Sequence, residues 1–177
     1  MSSEPATTSR ISSEMAAAVG GVLSERVSYP VSESDIRRWA IAVYFPERPP
    51  REFWDRAYAE SLPPGGIVAP AEFNPFAWME AGDDPPAVKR ASTHPDHVEQ
   101  RLGIAGPGLR FQLNGGMESE YRAWMRPGDV ITSVTRLGEY REKRGRLGLM
   151  LITMLEDRWT NQAGELVKLS HNSSIRY

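Results

Sequence analysis

From Glu120 to the C-terminus the chain reads as strands punctuated by sharp turns, and this pattern constrains the fold more than any other. Residues 120–125 form an apolar-polar run that stops at Arg126-Pro127-Gly128-Asp129. Val130–Tyr140 alternates in part, as a strand with one buried face does. Residues 147–159 contain Leu149-Met150-Leu151-Ile152, a continuous apolar stretch that suits a central strand buried on both faces. Asn161-Gln162-Ala163-Gly164 has hairpin-turn chemistry, and 166–175 is the last strand. Connections this short join antiparallel neighbours.

The first half reads as helices. Ser32 or Ser34 can cap a helix, and Ser32 with Asp35 makes a capping box. Ile36, Trp39, Ala40 and Val43 follow at helical spacing, with Arg37 and Arg38 facing away, until Pro46 ends the run. A second helix is expected from Pro50 to Ser61, burying Phe53, Trp54, Ala57 and Tyr58. Pro63-Pro64-Gly65-Gly66 is a sharp turn, and Asn74-Pro75 opens a short helix over Phe76–Ala81. The stretch 82–108 reads as a long connection with one helical turn near Asp96–Arg101. Before all this, 1–10 is small, polar and disordered in character. Ala16–Val19 forms a helical turn stopped by Gly20-Gly21, and Arg26–Val31 is a strand whose Pro30 suits a sheet edge. The expected division is a flexible arm over 1–24 and one domain over 25–177, with no internal repeat. Helices first and an antiparallel meander after define an α+β layer fold.

With 177 residues, 40% of them hydrophobic, the chain can bury one real core. A net charge of -2 leaves no electrostatic footprint for nucleic acid. The absence of cysteine excludes disulfides, a thiolate nucleophile and Cys-ligated zinc. No window reaches the ~18 apolar residues of a membrane span, and no signal-peptide core is present, so a soluble cytoplasmic protein is expected.

Five short pieces in order carry a family resemblance. They are Asp55-Arg56-Ala57-Tyr58-Ala59, Gly65-Gly66-Ile67-Val68-Ala69-Pro70, and Tyr121 through Arg126-Pro127-Gly128-Asp129. Lys143-Arg144-Gly145-Arg146-Leu147-Gly148 and Asn161-Gln162-Ala163-Gly164-Glu165-Leu166-Val167 complete the set. Over residues 27–177 the chain resembles the MaoC-like hydratases and dehydratases, closest to their N-terminal, fungal-synthase-like branch. The resemblance implies a single hot-dog fold, in which a curled antiparallel sheet wraps a central helix. It also implies chemistry on acyl thioesters, with water added across a trans-2-enoyl double bond by an Asp/His pair. That reaction needs a base and a proton donor. Here no His lies between Met1 and Asp83. Aligning Asp55 with the family's second Asp leaves Phe53 near the His position, and Tyr44 or Phe45 near the catalytic Asp position.

The resemblance therefore implies a subunit without catalytic residues. It would shape the acyl-CoA tunnel for a MaoC-like catalytic partner, in a heterodimer or heterotetramer, without nucleic acid or membrane. Lipid, polyketide or sterol side-chain metabolism is the expected setting. Gly65, Gly66, Ala69, Pro70 and Phe73 would line the tunnel, small or rigid residues that let substrate approach closely, or would simply build a tight turn. Arg144, Gly145 and Arg146 would meet coenzyme A phosphates through the planar guanidinium fork, or form a charged hairpin end. No cofactor and no metal are expected. His94 and His97 flank Pro95-Asp96 without a third ligand in view, and His171 on a strand needs only a hydrogen-bonding neighbour. Gly106-x-Gly108 and Asn114-Gly115-Gly116 read as turns rather than a dinucleotide fingerprint. Trp39, Phe53, Trp54, Phe76 and Trp78 read as core or interface. Two alternatives stay open. One is a self-sufficient homodimeric thioesterase or hydratase using Glu47, Glu52 or Glu72. The other is a non-enzymatic acyl-ligand-binding protein.

Overall fold

The computed structural model describes residues 9–77, 94–146 and 148–177. Helix α1 spans Ser13–Ala17 and strand β1 spans Val22–Val27. The arm-to-domain boundary expected at residue 24 thus falls inside β1, and Met15 before it is buried. Helix α2, Glu33–Tyr44, starts where the capping box places it. Ser32 Oγ accepts from the Asp35 N–H at 3.1 Å and donates to Asp35 Oδ2 at 2.7 Å. Ile36 and Ala40 on α2 are fully buried.

The single helix expected from Pro50 to Ser61 is instead two pieces, a 3-10 turn over Arg51–Phe53 and helix α3 over Arg56–Glu60. Asp55 divides them. Its Oδ1 accepts from the Tyr58 N–H at 3.1 Å, which starts a new helix, while Arg51 grips its Oδ2 at 2.7 Å. The buried stripe shifts accordingly: Phe53 and Ala59 are buried, Ala57 is exposed, and Trp54 is half-buried. Asn74 Oδ1 accepts from the Phe76 N–H at 3.0 Å. Residues Phe76 and Ala77 form a turn, while the rest of the helix expected over Phe76–Ala81 lies outside the described residues, as does Trp78. The turn expected near Asp96 is helix α4, His97–Arg101.

Strands β2 (Gln112–Tyr121), β3 (Thr132–Gly145), β4 (Gly148–Thr160) and β5 (Leu166–Arg176) complete one sheet in the order β1-β3-β4-β5-β2. Every pairing is antiparallel. The expected strand at 120–125 is corrected: β2 begins eight residues earlier, at Gln112, and ends at Tyr121. Asn114-Gly115-Gly116, read as a turn, is a bulge within it. A Cβ on Gly115 would meet Ser173 Oγ at 2.7 Å, and Gly116 has φ +114, so only glycine lets the strand bend there. Similar irregularities in β1, β3 and β5 bend the sheet further. The Leu149–Ile152 run is central, but burial alternates. Leu151 and Thr153 are buried, while Met150 and Ile152 on the opposite face are only half-buried.

Two clusters fill the inner side of the sheet. The larger joins Ile36 and Ala40 of α2 with Phe53, Phe76, Ile131 and Trp159. Trp159 meets Phe76 edge-on at 5.2 Å between ring centroids. The smaller holds Met15, Leu109 and Leu151. Beside it a buried ionic group ties α4 to the end of β5. Arg176 donates to Glu99 at 2.7 and 2.8 Å, to Asp96 at 3.2 Å, and to Thr153 at 2.7 Å. Tyr140 donates to Glu99 at 2.6 Å. Burial pushes the Glu99 carboxyl up, but the bonds from Arg176 and Tyr140 outweigh it and hold its pKa below the ordinary value. Burial, and then Glu99, push the Tyr140 hydroxyl up.

Candidate functional site

Three of the short sequence pieces meet at the far end of the sheet from Arg176. Gly65 and Gly66 turn the chain at φ +76 and +119, conformations that side chains with a Cβ avoid. Arg126 clamps that turn by donating to the Pro64 carbonyl at 3.0 Å. The Ala69 N–H then donates to the Met125 carbonyl at 2.8 Å, which lays 67–70 against the segment that follows β2. Asp129 accepts from the Arg126 N–H at 2.7 Å and from Gln162 Nε2 at 3.1 Å. Gln162 Oε1 in turn accepts from the Val130 N–H at 2.9 Å. The Gly-Gly turn, the Arg-Pro-Gly-Asp turn and the Asn-Gln hairpin therefore brace one another.

Two cavities flank the segment they hold. The smaller, about 140 Å³, is lined by Ala69, Pro70, Tyr121, Trp124, Trp159 and Lys168, among others. The larger, about 500 Å³, lies toward α2 and is lined by residues that include Trp39, Tyr44, Phe53, Gly66 and Val68. Ala69, Pro70, Ala71 and Trp124 belong to both. Tyr121 donates its hydroxyl to Glu72. Burial, reinforced by Glu72, pushes the Tyr121 pKa up to about 12, so this hydroxyl stays protonated and acts as a donor. The Lys168 ammonium lies 4.8 Å from the Trp159 ring centre and 5.2 Å from that of Tyr121.

The expected site residues divide. Gly66, Ala69 and Pro70 line cavity walls. Gly65 shapes the turn, and Phe73 is buried in the larger core cluster. Arg144, Gly145 and Arg146 occupy the β3–β4 hairpin tip, about 30 Å from Trp159 along β4. One chain does not bring them to the cavities. Of the alternative carboxylates, Glu52 and Glu72 line the larger cavity, and Glu47 is exposed outside both.

Asp55 is a helix cap. Its bond from Arg51, then that from the Tyr58 N–H, holds its pKa below the ordinary carboxylate value. Tyr44 lines the larger cavity, whereas Phe45 is 80% exposed. His94 and His97 bond within their own turn. His171 faces Glu156 at 3.6 Å. None of the three histidines lines either cavity. Among the described residues no cluster of three or more His, Asp or Glu could hold a metal ion, and no helix is long and apolar enough to cross a membrane.

Lys168 and Trp159 escaped the sequence reading as site residues. A usable signal was present. A lysine inside the apolar stretch Leu166–Leu169, paired across the Asn161–Gly164 turn with Trp159, must lie on the same face of the sheet as that ring.

The fold is similar to that of several solved structures. The MaoC-like dehydratase from Rhodospirillum rubrum is 20% identical, with 90% of this chain and 92% of that one covered, at a TM-score of 0.53. The ChsH1-ChsH2 complex from Mycobacterium tuberculosis gives 19% identity, 93% and 87% coverage, and a TM-score of 0.61. The C-terminally truncated HadBC (3R-hydroxyacyl-ACP dehydratase) complex from the same organism gives 14%, 89% and 96%, and 0.51. A comparison with curated proteins finds no match. The fold is a single hot-dog of the α+β class. Residues 17–170 match the model of the FAS1-like family, dehydratase domain region, and the chain belongs to that family.

Proposed function

We propose that this chain is the non-catalytic subunit of a heteromeric enoyl-CoA hydratase or dehydratase. It shapes the acyl-binding space while a MaoC-like partner supplies the Asp/His pair. One observation carries the reading: the family's turn and hairpin pieces assemble two adjoining, largely apolar cavities that no histidine lines. Hydration requires a base and a proton donor at the double bond. Here Tyr121 is held protonated, and Glu72 is occupied by its hydroxyl.

The partner is supported by edge strand β2. Phe111, Leu113, Met117 and Trp124, on it or beside it, are each at least half exposed. Such a strand invites cover by another chain. Two of the similar structures are themselves complexes. Lipid, polyketide or sterol side-chain metabolism fits a subunit whose cavities carry no Asp/His pair and can be widened for bulky acyl groups.

The test is hydration of a trans-2-enoyl-CoA series by the purified chain alone and with a dyad-bearing MaoC-like protein encoded beside it. Activity only in the pair, lost on replacing the partner's Asp or His, is the expected result. Turnover by this chain alone would overturn the reading. Because Glu72 lines the larger cavity, Glu72→Gln is then the first substitution to make in the self-sufficient alternative.

A further inference from the structure

Lys168 is 8% exposed and lines the smaller cavity. Its ammonium contacts two aromatic faces and makes no hydrogen bond or ion pair with the described residues. The stem of Lys168 is buried while its ammonium opens onto the cavity, so the head is solvated there unless a ligand's anion replaces the water. The nearby acids are committed elsewhere. Glu72 accepts from Tyr121, and Asp157 accepts from Trp159 Nε1 at 2.8 Å and from Ser133 at 2.7 Å. Arg122, the other cation of the wall, is paired with Glu120. The remaining lining named above is carbon-rich: Ala69, Pro70, Trp124 and Trp159.

We propose that Lys168 makes the smaller cavity an anion-accepting subsite, for a ligand with an apolar body of about six carbons ending in a carboxylate. A cavity near 140 Å³ has room for a benzene-sized group. The carboxylate supplies the acceptor that the ammonium lacks, and the two rings hold the ammonium in place for it. A free carboxylic acid and an acyl thioester with a carboxylate at its far end present the same chemistry. This subsite does not depend on whether the chain is catalytic.

Fluorescence of the tryptophans, two of which line the cavity, reports binding of hexanoate and of hexanol, and calorimetry confirms it. The wild-type chain is expected to prefer hexanoate by about tenfold, the worth of one charge-assisted bond. In Lys168→Met that preference disappears, and in Lys168→Arg it persists. Circular dichroism verifies that both variants fold. Equal affinity for the two ligands, binding of neither, or a preference unchanged in Lys168→Met overturns the proposal. A tighter fit for adipoyl-pantetheine than for hexanoate assigns the carboxylate to an acyl thioester, and the reverse order assigns it to a free acid. Either order upholds the subsite.

Discussion

Strand β5 carries two buried cations on the same face of the sheet, eight residues and about 26 Å apart. Arg176 is enclosed by Glu99, Asp96 and Thr153, and only its Nε lacks a partner among the described residues. Lys168 has two rings and no anion. At one end charge is spent on architecture, locking α4 to the sheet. At the other, Glu72 is held by Tyr121 and Asp157 by Trp159 and Ser133, and the ammonium is left facing a cavity. The contrast separates a charge whose function ends with folding from one that still has a partner to meet. Burial alone does not distinguish them, and the hydrogen-bond accounting does.

The largest effect is expected at the paired end. Arg176→Met leaves Glu99 buried without its counter-ion and should cost about 3–5 kcal/mol, read as a lowered urea midpoint. Ile36→Ala tests the apolar core behind the larger cavity and should cost about 3 kcal/mol through lost burial and the void left behind. A loss there as large as at Arg176 would show that both ends hold the fold equally.

The acid dependence comes next. The folded pKa of Glu99 lies below its unfolded value, so its contribution is present above the ordinary carboxylate value and is lost as pH falls through the folded pKa. Urea midpoints measured from neutral pH downward should fall, and the fall should be shallower in Glu99→Gln than in the wild type. The smallest effect belongs to Lys168→Met. No hydrogen bond is broken and the ammonium opens onto the cavity, so only the cation–π contacts are lost and stability should change by less than about 1 kcal/mol. A loss comparable with that of Arg176→Met would mean that Lys168 is architectural after all.

Much of this was legible locally. Ser32 and Asp35 are three residues apart, so a capping box can be read without tertiary contacts, and α2 begins there. The strands β3, β4 and β5 follow from apolar runs between glycine- and asparagine-rich turns. The five ordered motifs pointed to the MaoC-like hydratases and dehydratases, and residues 17–170 match a dehydratase-region family model, which supports the superfamily and not the finer branch. The errors have local causes too. Asp55 looked like one more helical residue because a side-chain cap in mid-run has no signature in apolar spacing. Asn114-Gly115-Gly116 looked like a turn because the same residues serve a bulge, and only the approach of Ser173 tells the two apart.

The site was legible as pieces and not as an arrangement. The family resemblance singled out Gly65-Gly66 and Ala69-Pro70 together, since that motif is contiguous in the chain. The sequence also determined that no histidine precedes Asp83. Only the tertiary structure could put Arg144–Arg146 at the opposite end of β4 from those pieces, or bring Tyr121, Trp159 and Lys168 to one cavity. Periodicity assigns a side chain to a face. Which face closes over a cavity, and whether a charge finds its partner there, depends on contacts between residues far apart in the chain.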